Sequence, residues 1–227
     1  MILGLMLAML FQQAAAPLNP HEYSDLVQIN ASEILARHVS GRAVSEGQKL
    51  ELKDLFRFRD FTGKALNGRQ VNFHLPAEKG FKPAKVLIMT YVAEWCENCE
   101  YEVPYLKQLY KKYKSRGLEI VARSEYSEVK KLRALISHDK WPYPVLRGSE
   151  IAYDEREKIR METFQYLLRS TLGDQRKWGI PFTIIVVHGE LENPYVVAGE
   201  MKEDQVNDLI ERSLATAPPR STGSLPN

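Results

Sequence analysis

The chain has 227 residues, of which 44% are hydrophobic and 26% charged, a composition typical of a globular protein rather than a disordered or fibrous one. Its 31 Lys and Arg residues against 29 Asp and Glu residues give a formal net charge of +2, too balanced to indicate binding to nucleic acid or an anionic membrane. The two cysteines exclude a framework of several disulfides and fall short of the four ligands of an ordinary structural zinc site.

Residues 1–16 have the pattern of an export signal. Residues 1–11 are almost wholly apolar, and Ala14 and Ala16 are the small residues expected before a cleavage site. The run is too short to cross a bilayer as a helix, which needs about 20 apolar residues. We therefore predict a signal peptide at 1–16 and a location outside the cytoplasm, in the periplasm or extracellular space. The alternatives are that the segment is retained as a short membrane anchor or that it forms a buried N-terminal helix.

The next part of the chain divides near residue 48. Residues 17–47 are predicted to be a helical N-terminal extension and linker, because apolar residues recur with helical spacing over 20–38. Residues 61–75 combine Gly turn signals with alternating apolar residues, which predicts a strand hairpin. The continuous apolar run 86–92 predicts a central strand buried on both faces.

Helical and strand-like spacings then alternate. We predict helices over 97–115, 125–138, 154–171 and 202–214, with strands at 118–122, 182–187 and 195–198. This order predicts an α/β fold for a domain over 48–215, with a mixed central sheet covered by helices on both faces. The domain would carry an N-terminal hairpin and an extra helical insertion. Residues 216–227, rich in Pro and Ser, are predicted to form a disordered tail.

Both cysteines lie at one junction, where the strand 86–92 gives way to a helix. The segment Trp95-Cys96-Glu97-Asn98-Cys99 places Cys96 near the helix N-terminus, where unpaired backbone N–H groups and the helix dipole favour a thiolate. A thiolate is the attacking species in thiol–disulfide exchange, which passes through a mixed disulfide. A second cysteine one helical turn further on can resolve that intermediate. The junction therefore predicts a redox site.

Two stretches of sequence resemble a known superfamily. The WCENC motif at 95–99 after an apolar strand, with Ile180-Pro181 before a second apolar strand, resembles thioredoxin. The C-x-x-E-x-P-x-L run from Cys99 to Leu106 is similar to the exported TlpA/ResA-like thiol–disulfide oxidoreductases of that superfamily. The resemblance covers roughly residues 50–214, and it implies a thioredoxin-like fold.

The resemblance also implies a role for individual residues. Cys96 would be the nucleophile, Cys99 the resolving thiol and Glu102 an acidic group that tunes or relays the proton of Cys99. Substrate would be contacted by the aromatic residue Trp95, the backbone of Ile180 and a cis proline, Pro181. The implied partners are protein thiols and disulfides and a membrane thiol protein that donates electrons. No cofactor, metal or nucleic acid is implied.

Two features depart from the family's pattern. Asn98 stands where the family commonly has a proline, so the turn between the cysteines is expected to be less rigid. The segment 149–177 is longer than the usual connection and predicts an added helix beside the active-site face. That helix either shapes a partner surface or packs against the sheet.

Acidic residues crowd the cysteines in sequence. They are Glu94, Glu97, Glu100 and Glu102. Negative neighbours disfavour a thiolate and offset part of the effect of the helix terminus. With Glu94 and Glu97 as residues that tune the thiol pKa, the pattern predicts a reducing or middling potential. The alternative is that these carboxylates face solvent and complement the helix start.

The sequence thus predicts a thiol–disulfide oxidoreductase acting on protein disulfides outside the cytoplasm. Reduction is the favoured direction, as in family members that reduce apocytochrome c disulfides to thiols or reduce other envelope proteins. An oxidase or isomerase is one alternative. Another is a non-catalytic interaction module with a structural CxxC disulfide, although a bridge that closes so short a loop contributes little stability by loop entropy.

Overall fold

The computed structural model describes residues 21–34, 61–71, 84–148, 160 and 163–216. The predicted signal peptide at 1–16 lies outside the described residues, as does the predicted tail beyond residue 216.

The elements follow one another in an α/β order. The strands are β1 Tyr23–Ser24, β2 Val27–Gln28, β3 Gly63–Lys64, β4 Gln70–Val71, β5 Val86–Val92, β6 Leu118–Ser124, β7 Val145–Arg147, β8 Phe182–Val187, β9 Tyr195–Val197 and β10 Glu200–Met201. The helices are α1 Glu97–Tyr113, α2 Val129–Asp139, α3 Phe164–Thr171 and α4 Glu203–Ala215, and a short 3₁₀ turn, Lys114–Arg116, follows α1.

A mixed six-stranded sheet forms the core, with the order β2-β9-β8-β5-β6-β7. Strands β5, β6 and β7 are parallel to one another, while β8 is antiparallel to β5 and β9 to β8. All seven residues of β5 are buried. Because successive side chains of a strand point to opposite faces, both faces of the sheet are covered at its centre. The predicted fold class is therefore confirmed.

The hairpin predicted before the central strand is present as the antiparallel pair β3–β4. Gly68 in its turn has a φ of 84°, a backbone conformation that glycine adopts without the steric cost of a Cβ.

The N-terminal extension departs from the prediction of a helix over 20–38, which is wrong for residues 23–28. There β1 pairs parallel with β10, and β2 pairs antiparallel with β9 at the edge of the main sheet. Unpaired N–H and C=O groups of β9 and β10 offer ladder hydrogen bonds to this segment, and such pairing overrides a helical spacing. A helical turn begins only at residue 31, after Asn30, whose Oδ1 accepts the N–H of Glu33 at 2.9 Å.

The helix predicted over 154–171 is not continuous, which corrects that prediction. Thr163 has an extended backbone, with φ −71° and ψ 145°, and its hydroxyl accepts the N–H of Tyr166 as the N-cap of α3. A Thr side chain that bonds to the backbone in this way competes with a helix interior and marks a helix start. Residues 151–159 lie outside the described residues.

Candidate active site

The two cysteines form a disulfide at the start of α1, with their Cα atoms 5.2 Å apart. Cys96 is the N-cap residue of the helix, and its Sγ accepts the backbone N–H of Cys99 at 3.1 Å. Cys96 is 8% exposed and Cys99 only 2%. The first cysteine is thus the more accessible one, and a backbone donor already points at its sulfur, as a thiolate at a helix N-terminus requires.

The Ile180–Pro181 segment lies at the same end of the sheet as the cysteines. Strand β8 runs antiparallel to β5 with Phe182 opposite Tyr91, so the residue before β8 lies beside the segment that follows β5. Both Ile180 and Pro181 are buried, and the peptide bond between them is cis.

Trp95 is fixed by contacts on two sides. Its Nε1 donates to the carbonyl oxygen of Tyr126 at 3.0 Å, and its ring packs edge-on against Trp178 with the centroids 5.3 Å apart. Trp178 also packs against the Tyr126 ring at 5.4 Å. The sequence analysis did not identify Trp178, since only the fold brings residue 178 next to residue 95.

The insertion organises the loop that precedes Pro181. Arg169 of α3 is 1% exposed, and its guanidinium donates to the carbonyl oxygens of Asp174, Arg176 and Lys177 at 3.2, 2.6 and 3.1 Å. Gln165 Nε2 donates to the carbonyl oxygen of Gly179 at 2.6 Å. Helix α3 therefore does more than cover apolar surface, because its buried polar side chains fix the backbone that leads into the Ile180–Pro181 bond.

Glu102 carries a buried carboxyl group one helical turn beyond Cys99. The residue is 4% exposed, and its Oε1 accepts the backbone N–H of Met201 at 2.6 Å. Its Oε2 has no hydrogen-bond partner among the described residues. The pKa of Glu102 is raised from 4.5 to about 8, chiefly by burial and to a smaller extent by the charge of Glu200, while the Met201 N–H and the charge of Arg176 oppose the rise. Residues three apart on a helix share a face, so Glu102 and Cys99 lie on the same side of α1.

The turn between the cysteines is held from the other side of the site. Asn98 is buried, and its Nδ2 donates to Glu200 Oε1 at 2.7 Å. Sequence reasoning treated Asn98 only as the replacement of a proline and missed Glu200. A separation of 102 residues between the two leaves no local signal.

The acidic residues near the cysteines occupy different environments. Glu94 is half-buried, and its Oε1 accepts the backbone N–H of Glu128 at the start of α2. Glu97 is half-buried and Glu100 exposed. Their predicted effect on the thiol pKa stays a prediction.

Two kinds of feature are absent from the described residues. Within them, no group of three or more His, Cys, Asp or Glu side chains is arranged to hold a metal ion. In the same ranges, no helix has both the length and the apolar character needed to span a bilayer.

Residues 57–172 match the model of the AhpC/TSA family, a stretch that includes β5, the disulfide and Glu102. The chain belongs to the AhpC/TSA family. Strands β5, β6 and β7 of the central sheet lie within the matched stretch, while β2, β8, β9 and Pro181 lie beyond it.

Curated relatives of this AhpC/TSA family member carry one name. The chain is 31% identical over 108 residues to the thiol-disulfide oxidoreductase ResA of Bacillus cereus (strain ZK / E33L), covering 47% of each chain. It is 35% identical over 77 residues to ResA of Bacillus anthracis, covering 34% of this chain and 29% of that protein. The chain thus spans about half the length or less of these relatives.

Solved structures similar to the chain include two bacterial proteins. A thiol:disulfide interchange protein of Chlorobium tepidum TLS is 19% identical, with a TM-score of 0.48, and the match covers 68% of this chain and 92% of that one. A putative thioredoxin of Neisseria meningitidis is 16% identical, with a TM-score of 0.47 and coverage of 67% and 86%. The resemblance to thioredoxin-like proteins predicted from the sequence is in line with the family match.

Proposed function

We propose that the chain is a thiol–disulfide oxidoreductase that acts on protein disulfides outside the cytoplasm, in the reducing direction. The observation that carries the proposal is the Cys96–Cys99 disulfide at the N-terminus of α1, which uses every cysteine of the sequence. The relatives named as thiol-disulfide oxidoreductases support it, although they match over only part of their length.

The reduced chain would act in two displacement steps. The Cys96 thiolate attacks one sulfur of a substrate disulfide, which forms a mixed disulfide and expels the other substrate sulfur as a thiolate. Cys99 then loses its proton and attacks Cys96 Sγ, which re-forms the Cys96–Cys99 bond and releases the second substrate thiolate. The substrate gains two electrons and becomes a dithiol, while the chain is oxidised to its disulfide.

Glu102 would accept the proton that Cys99 loses in the second step. An unperturbed thiol has a pKa of about 8.5, and the pKa of Glu102 is raised to about 8 by its burial. The raised pKa brings Glu102 closer to an unperturbed thiol than an ordinary carboxyl is, which makes it a better acceptor for a thiol proton. In the opposite direction the protonated carboxyl returns the proton to Cys99.

Substrate would dock where Cys96, Trp95 and the Ile180–Pro181 segment meet at one end of the sheet. The backbone of Ile180 would pair with an extended substrate segment, and Trp95 and Pro181 would contact the substrate, as the resemblance to thioredoxin implies. We base the reducing direction on the acidic residues that precede and follow Cys96. Their negative charges disfavour a stabilised thiolate, and strong oxidants depend on such a thiolate. A membrane thiol protein would return the chain to its dithiol form.

A trapping experiment tests the proposal. Cys99→Ser should accumulate mixed disulfides between Cys96 and substrate proteins, which non-reducing electrophoresis and mass spectrometry would detect and name. Cys96→Ser is the matched control and should trap nothing. If Cys99→Ser also traps nothing while the wild-type protein is folded, the pair is a structural disulfide and the proposed activity is excluded. A redox titration against glutathione checks the direction, and a potential among the strong oxidants would contradict it.

A further inference from the structure

Glu200 is a buried carboxylate that no step of the exchange reaction has yet used. The residue is 2% exposed. Its Oε1 accepts the backbone N–H of Glu22 at 3.0 Å and the side-chain amide of Asn98 at 2.7 Å, and its Oε2 lies 2.6 Å from Nδ1 of His21. An ionised carboxylate only accepts hydrogen bonds, so the His21 nitrogen carries the hydrogen. Three donors offset the cost of burying the charge.

These donors come from two distant parts of the chain. Asn98 lies between the two cysteines, whereas His21 and Glu22 precede β1 in the N-terminal extension. The extension is held here by the β1–β10 pairing and by the His21 ring, which packs on Tyr101 of α1 with the centroids 4.3 Å apart. The Glu200 carboxylate, which belongs to β10, thus connects the N-terminal extension with the CxxC turn.

Glu200 also lies beside Glu102, the carboxyl proposed to accept the proton of Cys99. Glu102 bonds to the N–H of Met201, the residue that follows Glu200, and the charge of Glu200 acts on it directly. Charged and titratable groups facing this pair come from every neighbouring element. They are His21 of the extension, Arg176 of the loop before Pro181, Tyr105 of α1 and Tyr143 before β7.

We propose that Glu200 is a positioning residue of the redox site, which holds the CxxC turn through Asn98, places a negative charge beside Glu102, and makes residues 21–24 part of the site through His21. The effect on exchange rates rests on the proposed oxidoreductase activity. The effect of Glu200 on the pKa of Glu102 does not rest on that activity, because the protonation of Glu102 can be measured without any substrate.

The first test measures the protonation of Glu102. Glu200→Gln keeps the shape of the side chain and its acceptor oxygen but removes the charge. In an infrared pH titration of the oxidised protein, the protonated-carboxyl band of Glu102, identified by its loss in Glu102→Gln, should titrate about one pH unit lower in Glu200→Gln than in the wild type. Glu203→Gln removes the same charge from an exposed position on α4 and should leave the titration unchanged. Equal curves for Glu200→Gln and wild type would overturn the proposal.

The second test concerns the N-terminal extension. His21→Phe retains a ring against Tyr101 but loses the donor to Glu200, whereas His21→Asn places an amide nitrogen where Nδ1 stood. We expect the phenylalanine variant to reduce a model disulfide about three- to tenfold more slowly, since a hydrogen bond to a charged group is lost, and the asparagine variant to recover most of the rate. Equal rates for the wild type and both variants, or no recovery with asparagine, would contradict the part assigned to the extension.

The two tests separate this inference from the proposed function. If Cys99→Ser traps no substrate but the carboxyl titration shifts in Glu200→Gln, the activity is wrong and the coupling of the two carboxyls stands. If trapping succeeds and the titration does not shift, the activity stands and Glu200 only supports the fold.

Discussion

The backbone N–H of Met201 donates to Glu102 Oε1 at 2.6 Å, which ties the carboxyl behind Cys99 to the short strand β10. The bond satisfies one oxygen of a carboxyl that is buried almost completely, while the other oxygen has no partner among the described residues. A single donor does not compensate the burial of a charge, so the protonated form is favoured. Because folding raises the affinity of this carboxyl for its proton, stability depends on pH.

Stability should fall as the pH rises toward that at which Glu102 ionises. Its pKa is raised from 4.5 to about 8 on folding, so the stabilising effect of the bound proton is fully present below pH 4.5 and is lost as the pH passes through 8. Relative to Glu102→Gln, the wild type should lose about 3–5 kcal/mol of unfolding free energy across this window. Urea unfolding of the oxidised proteins at several pH values measures the difference, and parallel pH curves for the two proteins would refute it.

The rate of disulfide exchange should also depend on the ionisation of Glu102. If Glu102 accepts the proton of Cys99, release of a mixed disulfide should speed up as the pH rises through about 8. Glu102→Gln should lose this inflection and react about 10²-fold more slowly at neutral pH. Glu100→Gln removes a charge from the exposed side of the same helix and should keep the inflection near pH 8. Stopped-flow measurement of the second step provides the profile, and an inflection that persists in Glu102→Gln would assign it to another group.

Arg169 should be required both for stability and for the shape of the loop before Pro181. Arg169→Leu leaves three backbone carbonyls without their donor and removes one of the two cations beside the Asp174 carboxylate, the other being Arg176. Removing one partner from a buried network of this kind costs about 3–5 kcal/mol, and urea unfolding would measure it. Arg212→Leu is the control, since Arg212 is 65% exposed and its ion pair among the described residues is with Asp208 in the same helix. Similar losses for the two variants would contradict the role given to Arg169.

The parts of the fold that sequence predicted well are those with strong local patterns. The continuous apolar run of β5 indicates burial on both faces, and the strand-to-helix junction locates Cys96, Cys99 and Glu102 at consecutive turns of one helix. Each of these inferences needs only residues that are near one another in the chain, since burial and helical spacing are local consequences of residue order.

The parts that sequence missed depend on long-range pairing. The short strands β1 and β10 form because they pair with each other, and β2 forms because it pairs with β9. Each of these three strands has two residues, which is too few for a recognisable strand pattern. The His21–Glu200 contact joins residues 179 apart, and the Arg169 contacts form only when the loop folds back over α3. Polar contacts of this kind carry no period along the chain, so a single sequence does not reveal them.

A methyl group at Gly179 should disturb the loop before Pro181 more than one at Gly173. Both glycines have positive φ, 59° at Gly179 and 87° at Gly173, so an alanine at either position is strained by the backbone. Only at Gly179 would the new Cβ overlap Arg169, at its Cδ and guanidinium atoms, whereas nothing lies within 4 Å of a Cβ at Gly173. Gly173→Ala therefore measures the backbone strain alone, about 1 kcal/mol.

We expect Gly179→Ala to lose at least about 2 kcal/mol more in urea unfolding and to slow disulfide exchange, because the buried guanidinium of Arg169 has to move from its three carbonyls. Equal unfolding free energies and equal exchange rates for the two variants would show that the loop tolerates displacement of Arg169.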